Sequence, residues 1–201
     1  MNKFFTKGFY IFSVFFLLLG SALQGLAQAP TTLESGRTYT ALAKDAAGSL
    51  YITRASTSGD TYEVVKYTNG TGTAAVIYSG LTHDLYEYPF GLAVASNGDV
   101  YVSTDFTSGG AVIKLTPNGS TYTASTFLTN SPGSPSRYFT ALAIDGSNNL
   151  YVTEYIGSNY NVVRYAAGGT TGVALYSSLK AGAGYSYPTG LAVASNGDIY
   201  V

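Results

Sequence analysis

The tyrosines of four similar strings, SLYIT at Tyr51, DVYVS at Tyr101, NLYVT at Tyr151 and DIYV at Tyr200, stand 50, 50 and 49 residues apart. A fixed period of this length dictates a repeat architecture, in which each unit buries its apolar faces against its neighbours. In places the repetition is nearly literal. YPFGLAVASNGDVYV (88–102) and YPTGLAVASNGDIYV (187–201) differ at two of fifteen positions.

Each unit reads as four strands. A small, alternating strand comes first: ALAKD, GLAVA, ALAID and GLAVA. A polar turn follows. Gly48, Gly98 and Gly197 supply the positive φ it needs, and Asn148 or Asn149 does so in the third unit. The second strand is LYITR, VYVST or LYVTE, the third YEVVKY, AVIKL or NVVRY. A glycine turn leads to a fourth, TAAVIYSG, TASTFLT or GVALYSS. The patterning has period two, and nothing after the first residues reads as a helix. With 19 tyrosines, 24 glycines and only 10% charged residues, the composition is that of an all-β chain rather than a disordered one.

Four-stranded units arranged radially make the blades of a β-propeller. The string PFGLAVASNGDVYVS followed by VIKLTPNG resembles the NHL repeat, with Pro89, Gly91, Leu92, Ala93, Val94, Gly98, Tyr101, Val102 and the Gly119 turn at matching positions. The resemblance covers 39–201, as blades 39–87, 88–137 and 138–186 and a partial blade 187–201. It implies a propeller, a fold that serves binders, sensors and occasional enzymes. The family often places Asp after the first strand. Asp45 and Asp145 keep this feature, whereas Ala95 and Ala194 depart from it.

Units one and three are more alike than either is to unit two: YTALAKDAAGSLYIT pairs with FTALAIDGSNNLYVT, and VVKY with VVRY. The chain therefore reads as grown by copying a pair of blades, which predicts an even ring, most simply six-bladed. On that reading three blades and a third of a fourth are present, as a fragment of a longer product, and residues 28–38 are a candidate ring-closing strand. The alternative is a short protein that closes by oligomerising.

Residues 1–27 read as a secretory signal peptide. Lys3 and Lys7 precede the apolar run Phe9–Leu19, which is too short to span a bilayer, and Gly25-Leu26-Ala27 fits a cleavage site. The alternative is an uncleaved anchor. Without the signal, eight basic residues face eleven acidic ones, which argues against a nucleic-acid partner. The chain has no cysteine, hence no disulfide framework, thiol nucleophile or cysteine metal site.

Propeller sites lie on the face where the first strand begins and the second ends. There the chain places Tyr88-Pro89-Phe90, Tyr138-Phe139-Thr140 and Tyr187-Pro188-Thr189, with Arg54, Thr104 and Glu154 at matching positions and Asp105 and Tyr155 just beyond. Aromatic faces beside a few charges suit a carbohydrate, a peptide or another small polar ligand. The candidate ligand-binding residues are Arg54, Phe90, Thr104, Asp105, Glu154 and Tyr155. The competing reading has the tyrosines packing between blades. His83, beside Asp84 and Glu87, reads as an exposed loop histidine rather than a general base, because no nucleophile stands near it in sequence.

DGSNN (145–149) lacks the acid spacing of a calcium loop and reads as a β-turn. Asn69-Gly70-Thr71 and Asn118-Gly119-Ser120 have the form of glycosylation sequons and read as hairpin turns.

The function expected from these features is an extracellular ligand- or protein-binding scaffold, without cofactor, at the cell surface, in the periplasm or secreted. A second reading is a metal-dependent hydrolase or lyase of the gluconolactonase-like group. That group holds a divalent ion such as calcium near the starts of its inner strands, where this chain has Phe90, Thr140 and Thr189, so missing blades would have to supply ligands. A third reading is a structural module of a larger surface protein.

Overall fold

The computed structural model describes residues 33–82, 89–104, 110–130, 137–156, 159–179 and 188–201. The chain divides into two compact units, Met1–Ser35 and Gly36–Val201. The signal peptide expected at 1–27 lies outside the described residues. Residues 33–38 carry no strand.

The second unit is all-β. Sheet I contains β1 (Tyr39–Lys44), β2 (Leu50–Ala55), β3 (Thr61–Tyr67) and β4 (Ala75–Thr82). Sheet II contains β5 (Pro89–Val94), β6 (Val100–Thr104), β7 (Ala111–Asn118) and β8 (Thr121–Thr129). Sheet III contains β9 (Arg137–Ile144), β10 (Leu150–Ile156), β11 (Asn159–Tyr165) and β12 (Gly172–Leu179). A short pair, β13 (Ala192–Val193) and β14 (Ile199–Tyr200), follows. Every sheet is an antiparallel meander in chain order, and the first strands lie side by side, β1 against β5, β5 against β9 and β9 against β13. Three four-stranded blades and two strands of a fourth, arranged about their innermost strands, form a partial β-propeller.

Period-two alternation puts the faces of sheet II into two different cores. Leu92, Val100, Val102 and Leu115 pack with Tyr51, Tyr62, Val64 and Leu81 of sheet I. Ala93, Tyr101, Val112 and Leu128 pack with Phe139, Leu142, Val152, Val163 and Tyr165 of sheet III. Phe127 bridges the second seam, edge-on to both Tyr101 and Tyr165.

The turns between first and second strands repeat one backbone arrangement. The residue after the first strand donates its N–H across the turn: Asp45 to Ser49 O, Ala95 to Asp99 O, Asp145 to Asn149 O and Ala194 to Asp198 O. Left-handed backbone falls on Gly48, Gly98 and Gly197, and in the third blade on Asn148 (φ 63°) rather than Asn149. The asparagine also ties this turn to sheet II, since its amide exchanges hydrogen bonds with Ser96 N and Ser96 Oγ at 2.8 Å each.

The carboxylate in these turns changes place from blade to blade, which accounts for Ala95 and Ala194. In blades one and three, Asp45 and Asp145 open the turn; the Asp45 carboxylate accepts from Ser49 N and Tyr51 OH. In blades two and four the acid closes the turn, as Asp99 and Asp198, each held by an asparagine two residues earlier. A cation from the third strand completes the cluster: Lys114 reaches Asp99 at 2.8 Å, and Lys66 lies over the Tyr51 ring at 5.1 Å. Burial alone would raise the Asp99 carboxyl, but bonds from Lys114, Asn97 and Thr116 hold it below the usual aspartate range. Burial is likewise outweighed at Asp145, where Asn149, Ser147 and Tyr151 donate to the carboxylate. With these donors arranged about it, Asp145 serves as the anchor of a β-turn, as read from DGSNN.

The outer hairpins also follow the sequence. Asn69 and Gly70 both have positive φ, as a type I′ turn requires, and Gly119 opens a two-residue loop between Asn118 and Thr121 at φ 63°.

Candidate functional site

First strands begin and second strands end at the opposite end of each blade, here called the mouth. A bulge interrupts the first pairing in every complete blade, between Tyr39 and Ala41, between Pro89 and Gly91, and between Val152 and Glu154. A fully buried hydroxyl from the second strand fills each bulge. Thr53 Oγ1 lies 2.7 Å from Thr40 Oγ1, and Thr153 Oγ1 lies 2.7 Å from Thr140 Oγ1 and accepts from Ala141 N at 2.8 Å. Ser103 Oγ accepts from Gly91 N at 2.8 Å and donates to Thr140 O of the next blade at 3.2 Å. Sequence reasoning assigned no role to these hydroxyls. Their signal was a hydroxyl residue recurring at 53, 103 and 153 within apolar strands.

The bulges shape a cleft of about 260 Å³ among the inner strands, lined by Thr40, Phe90, Thr189 and backbone at Gly91, Ala141 and Gly190. Phe90 is the aromatic member of that lining and is half-buried. Its counterpart Thr140 is buried and occupied with Thr153.

Arg54 and Glu154, equivalent by repeat, are both buried and both ion-paired. Arg54 Nε donates to Glu63 Oε1 at 2.8 Å, and Arg37 approaches the same oxygen at 3.5 Å. Glu154, only 1% exposed, accepts from Arg137 NH2 at 2.7 Å and Nε at 3.1 Å and from the Tyr165 hydroxyl. Burial, reinforced by the bond to Glu154, pushes the Tyr165 hydroxyl well above its ordinary value. The Arg137 guanidinium lies 4.9 Å from the Phe139 ring centroid. Arg37 and Arg137 are one repeat pair apart, Arg37 two residues before β1 and Arg137 at the first position of β9, and each of these blades pairs that arginine with a carboxylate. The carboxylate comes from the third strand in blade one (Glu63) and from the second in blade three (Glu154), where Asn161 takes the Glu63 position.

Thr104 is buried and donates to Ala111 O at 3.3 Å. Tyr155 stands between Tyr138 and Tyr160 on the neighbouring strands, at ring-centroid distances of 5.8 and 5.0 Å. The matching residues of blade one are Thr38, Ala55 and Tyr62. Asp105, His83, Asp84, Glu87 and Tyr88 lie outside the described residues. The structure thus groups Glu154 with Arg137 and Tyr165, and Arg54 with Glu63 and Arg37, while Phe90 lines the cleft.

Calcium takes roughly six to eight oxygen ligands, carboxylates among them. The described cleft is lined by threonine, glycine, alanine and leucine residues and a phenylalanine, with no carboxylate. Among the described residues no three His, Cys, Asp or Glu side chains converge. The described donors do not fit a divalent ion.

No protein-family model and no curated protein matches the chain. Solved structures match its fold. A calcium-binding protein, regucalcin, from Agrobacterium tumefaciens aligns with a TM-score of 0.53 at 13% identity, over 78% of this chain and 49% of its own. A puromycin-hydrolyzing peptidase from Mycobacterium tuberculosis aligns with a TM-score of 0.53 at 16% identity, over 81% of this chain and 25% of its own. The chain thus spans half or less of either structure. At these identities the likeness concerns the fold alone. It supports a β-propeller and does not single out the NHL repeat. No helix among the described residues is long and apolar enough to cross a membrane.

Proposed function

We propose that this chain belongs to an NHL-like propeller that is exported and binds a polar ligand or a protein partner at its mouth. One observation carries the reading. Blades that repeat the backbone hydrogen bonds of their turn end differ in side chains at the mouth: Thr38 and Ala55 against Tyr138 and Tyr155, Arg54 and Glu63 against Glu154 and Asn161, Thr40 against Phe90. Recognition of an asymmetric ligand requires such variety, whereas packing of identical blades does not. Carbohydrates and small polar molecules suit the cleft beside Phe90, where an uncharged wall containing Thr40 and Thr189 meets an aromatic side chain.

The test is a ligand screen of the purified chain, with and without calcium, read by thermal shift and by lactone hydrolysis. Calcium-independent stabilisation by a sugar or peptide, lost in Phe90→Ala, supports the binder. Calcium-dependent hydrolysis would replace it with the metal-assisted enzyme, whose carboxylates would have to come from inner strands other than those described. Export is tested by N-terminal sequencing of the expressed protein, with Gln28 as the expected first residue.

A further inference from the structure

The chain contains four Asn-Gly pairs, at 69–70, 97–98, 118–119 and 196–197. Asn-Gly is the dipeptide most open to self-modification, because glycine presents no side chain to shield its nitrogen. In that reaction the glycine nitrogen attacks the asparagine Cγ. The N–Cγ bond forms, the Cγ–Nδ2 bond breaks, and ammonia leaves with the glycine amide proton. Water then opens the cyclic imide at either carbonyl, giving aspartate or isoaspartate.

All four asparagines are exposed, so access of water does not separate them. Hydrogen bonding does. The Asn97 side chain is held at both ends, its Oδ1 accepting from Asp99 N at 3.1 Å and its Nδ2 donating to Asp99 Oδ2 at 2.8 Å. The attacking nitrogen is occupied as well, since Gly98 N donates to Ala95 O at 2.9 Å. Asn196 and Gly197 repeat these bonds with Asp198 and Ala194. Asn69 and Asn118 stand at the outer hairpins, and among the described residues neither side chain joins such a network. Asn69 also has a left-handed backbone at φ 53°, where a change of conformation relieves strain.

We propose that Asn69 and Asn118 are sites of spontaneous isoaspartate formation in the folded protein, and that the turn network protects Asn97 and Asn196. An isoaspartyl link adds one backbone atom and a negative charge to an outer hairpin connection. It would loosen the β3–β4 and β7–β8 ends while leaving the inner strand pairs intact.

The experiment holds the purified chain at mildly alkaline pH, digests it, and scores each Asn-Gly peptide for amide loss, with isoaspartate labelled by an isoaspartyl methyltransferase. Asn69 and Asn118 should convert about tenfold faster than Asn97 and Asn196, the effect of one to two hydrogen bonds. In concentrated urea the four rates should converge, and Asp99→Ala should speed conversion at Asn97. Equal rates in the folded chain would overturn the proposal. So would a gap that persists in urea, because it would then reflect flanking sequence rather than structure.

Discussion

The two ends of each blade solve different problems. At the turn end, one cluster of tyrosine, carboxylate and cation recurs with the same backbone bonds, and its acid only changes places, from Asp45 and Asp145 to Asp99 and Asp198. At the mouth, the backbone bulge and its hydroxyl recur, but several side chains around them change, Thr38, Ala55 and Arg54 of blade one giving way to Tyr138, Tyr155 and Glu154 of blade three. The contrast separates what a blade needs in order to be a blade from what varies once that need is met. Ion pairing alone does not mark function, because Arg54 and Glu154, the most divergent charges, are both held by opposite charges.

The sharpest challenge to this division is Glu154→Ala. Removing a nearly fully buried carboxylate strands Arg137 and the Tyr165 hydroxyl, and loss of one partner of a buried pair costs about 3–5 kcal/mol. Denaturant unfolding should show that loss. Unchanged stability with abolished ligand binding would instead make Glu154 a recognition residue.

The next effect compares equivalent glycines. A Cβ at Gly91 would meet Leu142 N and Ser103 Oγ at 2.9 Å, whereas one at Gly190 meets nothing within 4 Å. Gly91→Ala should cost about 1–3 kcal/mol and Gly190→Ala under about 0.5 kcal/mol. Equal costs would show that the seam between sheets II and III is looser than described.

Acid probes the turn end. Asp99 and Asp145 titrate below the ordinary aspartate value, so their contribution is complete above that value and is lost as pH falls through the lowered ones. The denaturant midpoint should therefore fall below about pH 4. Asp145→Ala should flatten that fall and cost about 1–2 kcal/mol at neutral pH. A midpoint insensitive to acid would remove the carboxylates from the account.

Phe90→Ala should change stability little, within about 1 kcal/mol for a half-buried side chain. Its predicted effect is on ligand binding. A large loss of stability would return Phe90 to the scaffold.

Much of the blade was legible because period two and a 50-residue repeat act on every strand at once. The position of each third strand and the left-handed turn residues followed from LYV-like strings and glycines. The partners of the candidate residues were not legible. Glu154 meets Arg137 from seventeen residues away, and Arg54 meets Glu63 across a hairpin. Such pairings depend on register and on which face of the sheet a side chain takes, and a bulge changes both. Comparing blades at the level of side-chain pairs would have exposed the exchange of Glu63 for Glu154, because Arg37 and Arg137 are one repeat pair apart.

The double-sided burial of sheet II has a consequence for synthesis. Its first face meets residues 51–81, already made when β6 emerges, but its second face must wait for residues 139–165. During elongation each new sheet covers its predecessor while exposing an apolar face of its own. A nascent chain of this design always carries one uncovered surface, with a composition that changes from blade to blade. A chaperone attending it would have to move along the polypeptide in steps of one repeat.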